Sequence, residues 1–307
     1  MVNMRLVFLG TSAAAPTADR GLSSIALSRG NELLLFDAGE GMQRNFIRAR
    51  LGMNKKMKIF VTHIHADHCV GLLGLLQTMS LQGRQTCIDI YGQTQLAQFI
   101  KESARIINFL LTFDVNIHVI KREGPVVIED DYEVTCCAAN HSVPAYAYCL
   151  KEFDRPGKFN VSEAKRLGIP EGKLYNQLQH GHDIVFNGKI VKSSQTTGPP
   201  RCGRKIGISG DTRPTEKLQA FFKNCDLLVF ESTFSSDDYP KAVESFHSTS
   251  AEAATLAQAA KVRKLFLTHF SSRYSKTLDL IKQAMKIHGN VEAAEDLRSF
   301  EIPYADN

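Results

Sequence analysis

No CxxC pair occurs among the seven cysteines, which fall at no regular interval, so neither a disulfide framework nor a zinc ribbon is indicated. The thiols read instead as small buried hydrophobes in a reducing compartment. No run approaches the roughly 20 apolar residues that a membrane span requires. The opening MVNMRLVFLGTSAAAP holds too brief an apolar stretch before Gly10 for the core of a signal peptide. Hydrophobic residues at 43% and charged residues at 22% exclude a disordered or collagenous chain. What remains is a cytoplasmic protein with no membrane partner, its 307 residues forming one large domain or two modest ones.

The net charge of +5 is mild but unevenly placed. Residues 151–205 hold 11 Lys/Arg against 5 Asp/Glu, a local +6, so the remaining residues sum to −1. A solvated loop is the ordinary explanation of such a stretch; a phosphate-rich partner is the specific one. The texture changes over the same span. Before it, short aliphatic runs (MRLVFLG, SSIALSR, NELLLFDAG, then Lys58–Thr62) alternate with turn-formers as strands do. Met42–Gly52 and Leu96–Phe109 show helical spacing, and Ile117–Ile120, Val126–Ile128 and Tyr132–Ala139 resemble strands again. Residues 152–204 pack turn-formers densely around one short helix at Ser162–Leu167. Strands resume at Lys205–Ser209 and Leu227–Phe230, with helices expected at Ala251–Lys261 and Leu278–His288.

An internal echo accompanies this order. Ile59-Phe-Val-Thr-His63 matches Leu265-Phe-Leu-Thr-His269, and Leu33-Leu-Leu-Phe-Asp37 matches Leu227-Leu-Val-Phe-Glu231. Two halves whose apolar strands end in polar groups suggest two similar sheets packed face to face, with chemistry along a shared edge.

That chemistry is written most densely in Thr62-His-Ile-His-Ala-Asp-His68. His63, His65, Asp67 and His68 are ligand types for zinc or a similar divalent ion, and they lie too close together for all four to hold one tetrahedral ion easily. A loop leaving a strand can aim the first two at one metal and the next two at another. His141, Asp211 and His269 each follow a strand and complete seven ligands, enough for two tetrahedral sites sharing a bridging carboxylate. Two ions about 3.5–4 Å apart suit hydrolysis of a phosphoester.

THIHADH followed by His141, Asp211 and His269 resembles the HxHxDH pattern of the metallo-β-lactamase superfamily. FLGTSAAAP, FDAGEGMQRN, SGDTRPTEKL, ESTF, FHSTSAEAA and LTHFSSRY, in that order, narrow the resemblance to the ribonuclease Z family, the tRNA 3′-processing endonucleases, from about residue 5 to 275. The family implies an α/β fold, a four-layer αββα sandwich spanning 1–307 with a protruding tRNA-binding arm inserted at 152–204, and a homodimer acting on precursor tRNA. It implies two Zn²⁺ per chain, with His63, His65 and His141 on one, Asp67, His68 and His269 on the other, and Asp211 bridging. Asp67 is also its general base, and His247 with Glu231 its proton-donor pair. The sequence departs from the family at Pro16-Thr-Ala-Asp-Arg-Gly21, which keeps only the proline and arginine of the usual PxKxRN loop. It departs again at Gly172-Lys173, where the arm often has Gly-Pro, and at Phe230-Glu-Ser-Thr233, which lacks the histidine of HEAT.

Other two-metal hydrolases of the superfamily would share the seven ligands but need neither a basic arm nor the HST at His247–Thr249. A binding protein that had lost catalysis would be expected to have lost ligands first. Several residues have ordinary readings: His118 as a core or edge residue, His180 and His182 as exposed arm residues, His288 as a helix C-terminal cap. Asp37 and Glu40 suit either orientation of ligand imidazoles or turn and cap roles. Arg273 suits a scissile phosphate or a salt bridge. His247 could cap the helix near Ala251, although Ser248 and Ser250 are better suited to that.

Overall fold

The computed structural model describes residues 2–108 and 110–305, and the chain divides into two compact units. The larger contains residues up to Glu129, Glu133–Leu150 and Lys205–Pro303. It is built on two seven-stranded sheets. The first orders its strands Ser299–Glu301, Met4–Gly10, Ser24–Arg29, Glu32–Phe36, Lys56–Phe60, Ile88–Gly92, Val115–Val119. The second orders them Val291–Ala293, Leu265–Thr268, Leu227–Glu231, Lys205–Ile208, Tyr146–Glu152, Tyr132–Ala138, Gly124–Ile128.

Two-residue periodicity decides the layering. Strand residues alternate faces, and in Glu32–Phe36 this sends Leu33 and Leu35 to one side, against Met42 and Phe46 of the helix Met42–Arg48 and against Leu72, Leu75, Leu76 and Met79 of the helix Gly71–Leu81. Phe36 and Phe60 face the other way and meet Tyr148 of the second sheet at 6.0 and 5.4 Å between ring centroids, as Phe8 meets Phe266 at 5.2 Å. The second sheet repeats the scheme: Leu228, Phe230, Leu265 and Leu267 pack under the helices Glu216–Phe221, Ser250–Ala259 and Leu278–Met285. Strands covered on both faces are largely apolar, which is why runs such as residues 33–36 and 227–230 do not alternate with polar residues. The result is the expected αββα order, each fully buried Leu or Phe contributing roughly 1.5–3 kcal/mol.

The second unit comprises Lys151–Arg204 with Asp130–Tyr132 and the chain from Tyr304. It has its own small core of Ile169, Leu178, Ile184 and Val191. The expected short helix is Val161–Arg166, followed by a second, Lys173–Gln179, and a hairpin pairing Ile184–Phe186 with Lys189–Val191. Neither of the latter two elements was legible, because each is too short to establish a period.

Elsewhere the expected helices are shorter at their ends. Met42–Gly52 becomes Met42–Arg48, and Leu278–His288 becomes Leu278–Met285. The helix over Leu96–Phe109 is described as Thr94–Ile107; Phe109 lies outside the described residues. The helix Gly71–Leu81 had no amphipathic signature, and Gly71 explains part of its composition. A Cβ there would lie 2.0 Å from the Gly39 carbonyl oxygen, so only glycine permits this approach. Among the described residues no helix is long and apolar enough to cross a membrane.

Candidate metal centre

The parallel strands Glu32–Phe36 and Lys56–Phe60 lie side by side with Phe36 opposite Phe60; Leu227–Glu231 and Leu265–Thr268 do the same, with Glu231 opposite Thr268. Just past the ends of these two strand pairs the chain delivers the polar residues of the sequence echo. His63 follows its strand directly, and His65 is the N-cap of the short helix Ala66–Cys69 that carries Asp67 and His68. Asp211 and His269 come from the second half. Gly210 lets them meet: its φ is +59°, and a Cβ would lie 2.8 Å from the Thr62 Cβ.

All seven predicted ligands converge. His65 Nδ1 lies 3.0 Å from His63 Nε2 and 3.2 Å from His141 Nε2. On the other side, His269 Nε2 lies 3.3 Å from His68 Nε2 and 3.4 Å from Asp67 Oδ2. One oxygen, Asp211 Oδ2, faces both sets, at 3.2 Å from His68 Nε2, 3.3 Å from His269 Nε2 and 3.7 Å from His63 Nε2. The other Asp211 oxygen is buried without a hydrogen-bond partner, a costly state for a carboxylate unless a cation completes it.

The outward nitrogens settle which atoms face inward. His63 Nδ1 is 3.0 Å from Thr62 Oγ1, His68 Nδ1 is 2.7 Å from Asp37 Oδ2, His141 Nδ1 is 3.1 Å from the Phe246 carbonyl, and His269 Nδ1 is 2.9 Å from Thr233 Oγ1. Such partners hold the proton on the outer nitrogen and leave the inner lone pair for a metal. Asp37 also accepts from the Thr62 backbone N–H at 2.7 Å and hydroxyl at 2.9 Å, so it takes the orienting role rather than a turn role. Glu40 is exposed and does not contact the ligands.

Electrostatics bind the cluster together. Burial works against the Asp211 and Asp67 carboxylates, yet His269 and His68 hold both well below the usual carboxylate range. Burial, followed by the surrounding imidazoles, pushes His63 far below the ordinary histidine value. Convergent imidazole nitrogens facing one another across a buried carboxylate are a donor set that fits metal ions.

Glu231 and His247, sixteen residues apart, meet beside this cluster: His247 Nδ1 lies 2.9 Å from Glu231 Oε1. Glu231 is buried, accepting from the Thr212 and Thr233 backbone N–H groups and from the Thr233 hydroxyl. Burial lowers the His247 pKa, but the Glu231 carboxylate overcomes it and raises the group to about 9. Arg213 donates to the His247 carbonyl at 2.6 Å. The cap of Ser250–Ala259 is Thr249, in a reciprocal box with Glu252, rather than Ser248 or Ser250.

Thr233 escaped the sequence reading. Its single hydroxyl touches Glu231 and His269 at once, a contact across distant residues that no local signal announces. Arg273 forms an ion pair with Asp238 at 3.7 Å and lies over the Phe234 ring. His118 pairs with Asp89 on an edge strand at 2.9 Å. His288 is buried with Nε2 unpartnered, beyond the C-cap Lys286, so it is not the helix cap expected.

Fold and cluster together define a protein of the metallo-β-lactamase fold with a site suited to metal. A family model described as "Beta-lactamase superfamily domain" matches residues 197–270, and one described as "Anti-Pycsar protein Apyc1" matches 4–151. A protein of Nitrosopumilus maritimus named "Ribonuclease Z" is 52% identical over 300 residues, covering 97% of this chain and 100% of that protein. Another of that name, from Methanosarcina acetivorans, is 42% identical over 98% of this chain and 99% of its own. The crystal structure of human tRNase Z, short form, matches with a TM-score of 0.72 at 28% identity, covering 97% and 99%. This chain belongs to the ribonuclease Z family.

Proposed function

We propose that this protein is the endoribonuclease that cuts the 3′ trailer from precursor tRNA by zinc-dependent two-metal hydrolysis, leaving a 3′-hydroxyl on the tRNA. The observation that carries the reading is a single oxygen, Asp211 Oδ2, facing two sets of ligand atoms beside a buried Glu231–His247 pair. His63, His65 and His141 would hold one ion and Asp67, His68 and His269 the other, with Asp211 common to both. When bound, such a pair provides hydroxide at neutral pH and offsets the charge developing on phosphorus.

The residues around it do the rest. Asp67, tied by its Oδ2 to the Ala14 N–H at 2.8 Å, takes the proton of the attacking water. The bond that breaks joins phosphorus to the ribose 3′-oxygen, so phosphate stays on the trailer. That oxygen leaves as a strongly basic alkoxide unless protonated. His247, its Nδ1 committed to Glu231, presents the other nitrogen as donor.

Residues 152–204 serve as the tRNA-binding arm. Glu163, Glu171 and Glu152 there pair with Arg166, Lys165 and Arg204, while Lys158, Lys173 and Lys189 stand exposed, as phosphate-binding cations do. The reading includes a cytoplasmic homodimer. Ile47, Leu81, Ile106 and Leu110 are exposed apolar residues on and beside adjacent helices of the first half, which supports it. The test offers zinc-loaded protein a 3′-extended tRNA precursor and bis(p-nitrophenyl) phosphate side by side. Release of a 5′-phosphorylated trailer and a 3′-hydroxyl tRNA is the expected result; cleavage of the small ester alone would overturn the assignment.

A further inference from the structure

Asp37 (φ 60°), His269 (φ 57°) and Phe246 (φ 60°), besides Ala14 (φ 58°) whose N–H meets Asp67, hold left-handed backbone around the site that side chains other than glycine adopt at a cost. For the first two the side chain gives the reason, since Asp37 orients His68 and His269 faces the metal cluster. Among the described residues Phe246 has no side-chain bond of that kind. It ends the helix Tyr239–Glu244 in a Schellman arrangement: the Phe246 N–H bonds the Val243 carbonyl at 3.3 Å and the His247 N–H bonds the Ala242 carbonyl at 2.8 Å. The residue in the left-handed slot of that motif is usually glycine. Burial of the ring would justify a phenylalanine there, but this residue is 42% exposed.

Its backbone, by contrast, is fixed to the site. The Phe246 carbonyl accepts from His141 Nδ1 at 3.1 Å, and the next residue is His247. Tyr239 and Val243, at helical spacing before it, are exposed as well, so an apolar strip runs along the helix and ends beside the proton donor.

We propose that the Phe246 ring is the stacking surface for the nucleobase on the retained side of the cut, the last nucleotide of the mature tRNA. This rests on the function proposed above. His247 delivers its proton to that nucleotide's 3′-oxygen, so the ring attached to the neighbouring residue meets that nucleotide rather than the trailer. Unpaired bases at RNA ends are held by stacking on aromatic rings, which tolerates any base because all four have a flat face. A glycine would cap the helix with less strain and present nothing to stack on.

The test compares wild type with Phe246→Gly and Phe246→Trp on two precursors, one intact and one abasic at the nucleotide preceding the cut. On the intact precursor Phe246→Gly should lose about 5- to 150-fold in kcat/KM, the range one base–aromatic stack is worth, and Phe246→Trp should retain activity. On the abasic precursor wild type should fall to the level of Phe246→Gly, which itself loses nothing further. The Tm and zinc content of Phe246→Gly should be no lower than those of wild type. A Tm lower by several degrees would make the ring a packing residue, and an equal loss on both precursors would remove the base as its partner; either result overturns the proposal. A wild type that leaves the intact precursor uncut overturns the function proposed above, and this inference with it.

Discussion

The two halves of the sandwich end equivalent pairs of parallel strands in equivalent residues and put them to different use. In the first half the strand-ending acid, Asp37, grips His68, which faces the convergent ligand-type residues. In the second the acid, Glu231, grips His247 through its Nδ1. The same buried carboxylate-to-imidazole contact thus orients a candidate ligand on one side and charges a candidate acid on the other. Position within the fold does not assign the role; what the far nitrogen of the imidazole faces does.

Breaking the feature common to both halves should have the largest effect. Asp211→Ala removes the one oxygen shared by both ligand sets. It should cost more activity than the roughly 100-fold typical of losing an outer partner, with zinc content by elemental analysis falling from about two toward none. A variant keeping both ions would separate the two sets. Next comes His247→Ala, expected to lower kcat on precursor tRNA by roughly 10²–10⁴-fold. It should be nearly silent on bis(p-nitrophenyl) phosphate, because p-nitrophenolate departs without a proton. Equal losses on the two substrates would reduce His247 to a positioning role.

Exchanging the two acids sharpens the contrast. Asp37→Asn should weaken zinc binding by about 10- to 100-fold, read by competition with a chelating dye. Glu231→Gln should leave zinc affinity near wild type and show a milder form of the His247 selectivity. The smallest effect is spectroscopic. In the metal-free protein the His247 imidazole should stay protonated up to about pH 9 by NMR. Glu231→Gln removes the nearest charge that favours the protonated form and leaves burial, which disfavours it, opposed only by Asp211, so its pKa should fall well below about 9. An unchanged titration would mean that Glu231 does not charge it.

The sequence disclosed this site unevenly, for physical reasons. His63, His65, Asp67 and His68 were legible because one loop carries all four, and His141, Asp211 and His269 because each follows a recognisable strand. The echo of strand ends foretold the two paired sheets, since buried strands keep their apolar character over short, matchable runs. Glu231 ended a strand of the echo, but its pairing with His247 was reached only through family resemblance, because nothing local announces a contact across sixteen residues. Thr233 and Phe246 were not reached at all: a hydroxyl bridging two distant groups and a left-handed aromatic are properties of the folded backbone. The helix Gly71–Leu81 escaped for the opposite reason, its apolar residues so continuous that no face stood out.

The Glu152–Arg204 contact closes the smaller unit on itself. Arg204 meets the Glu152 carboxylate through two nitrogens at 2.8 Å, both side chains buried, and the Glu152 N–H bonds the Arg204 carbonyl at 2.9 Å. Everything between them therefore begins and ends at one doorway, the geometry that tolerates insertion and excision. Such a segment is a cassette: it can be lengthened, exchanged between relatives or removed while its two ends stay in register. The segment's sequence can therefore change at a different pace from that of the two sheets.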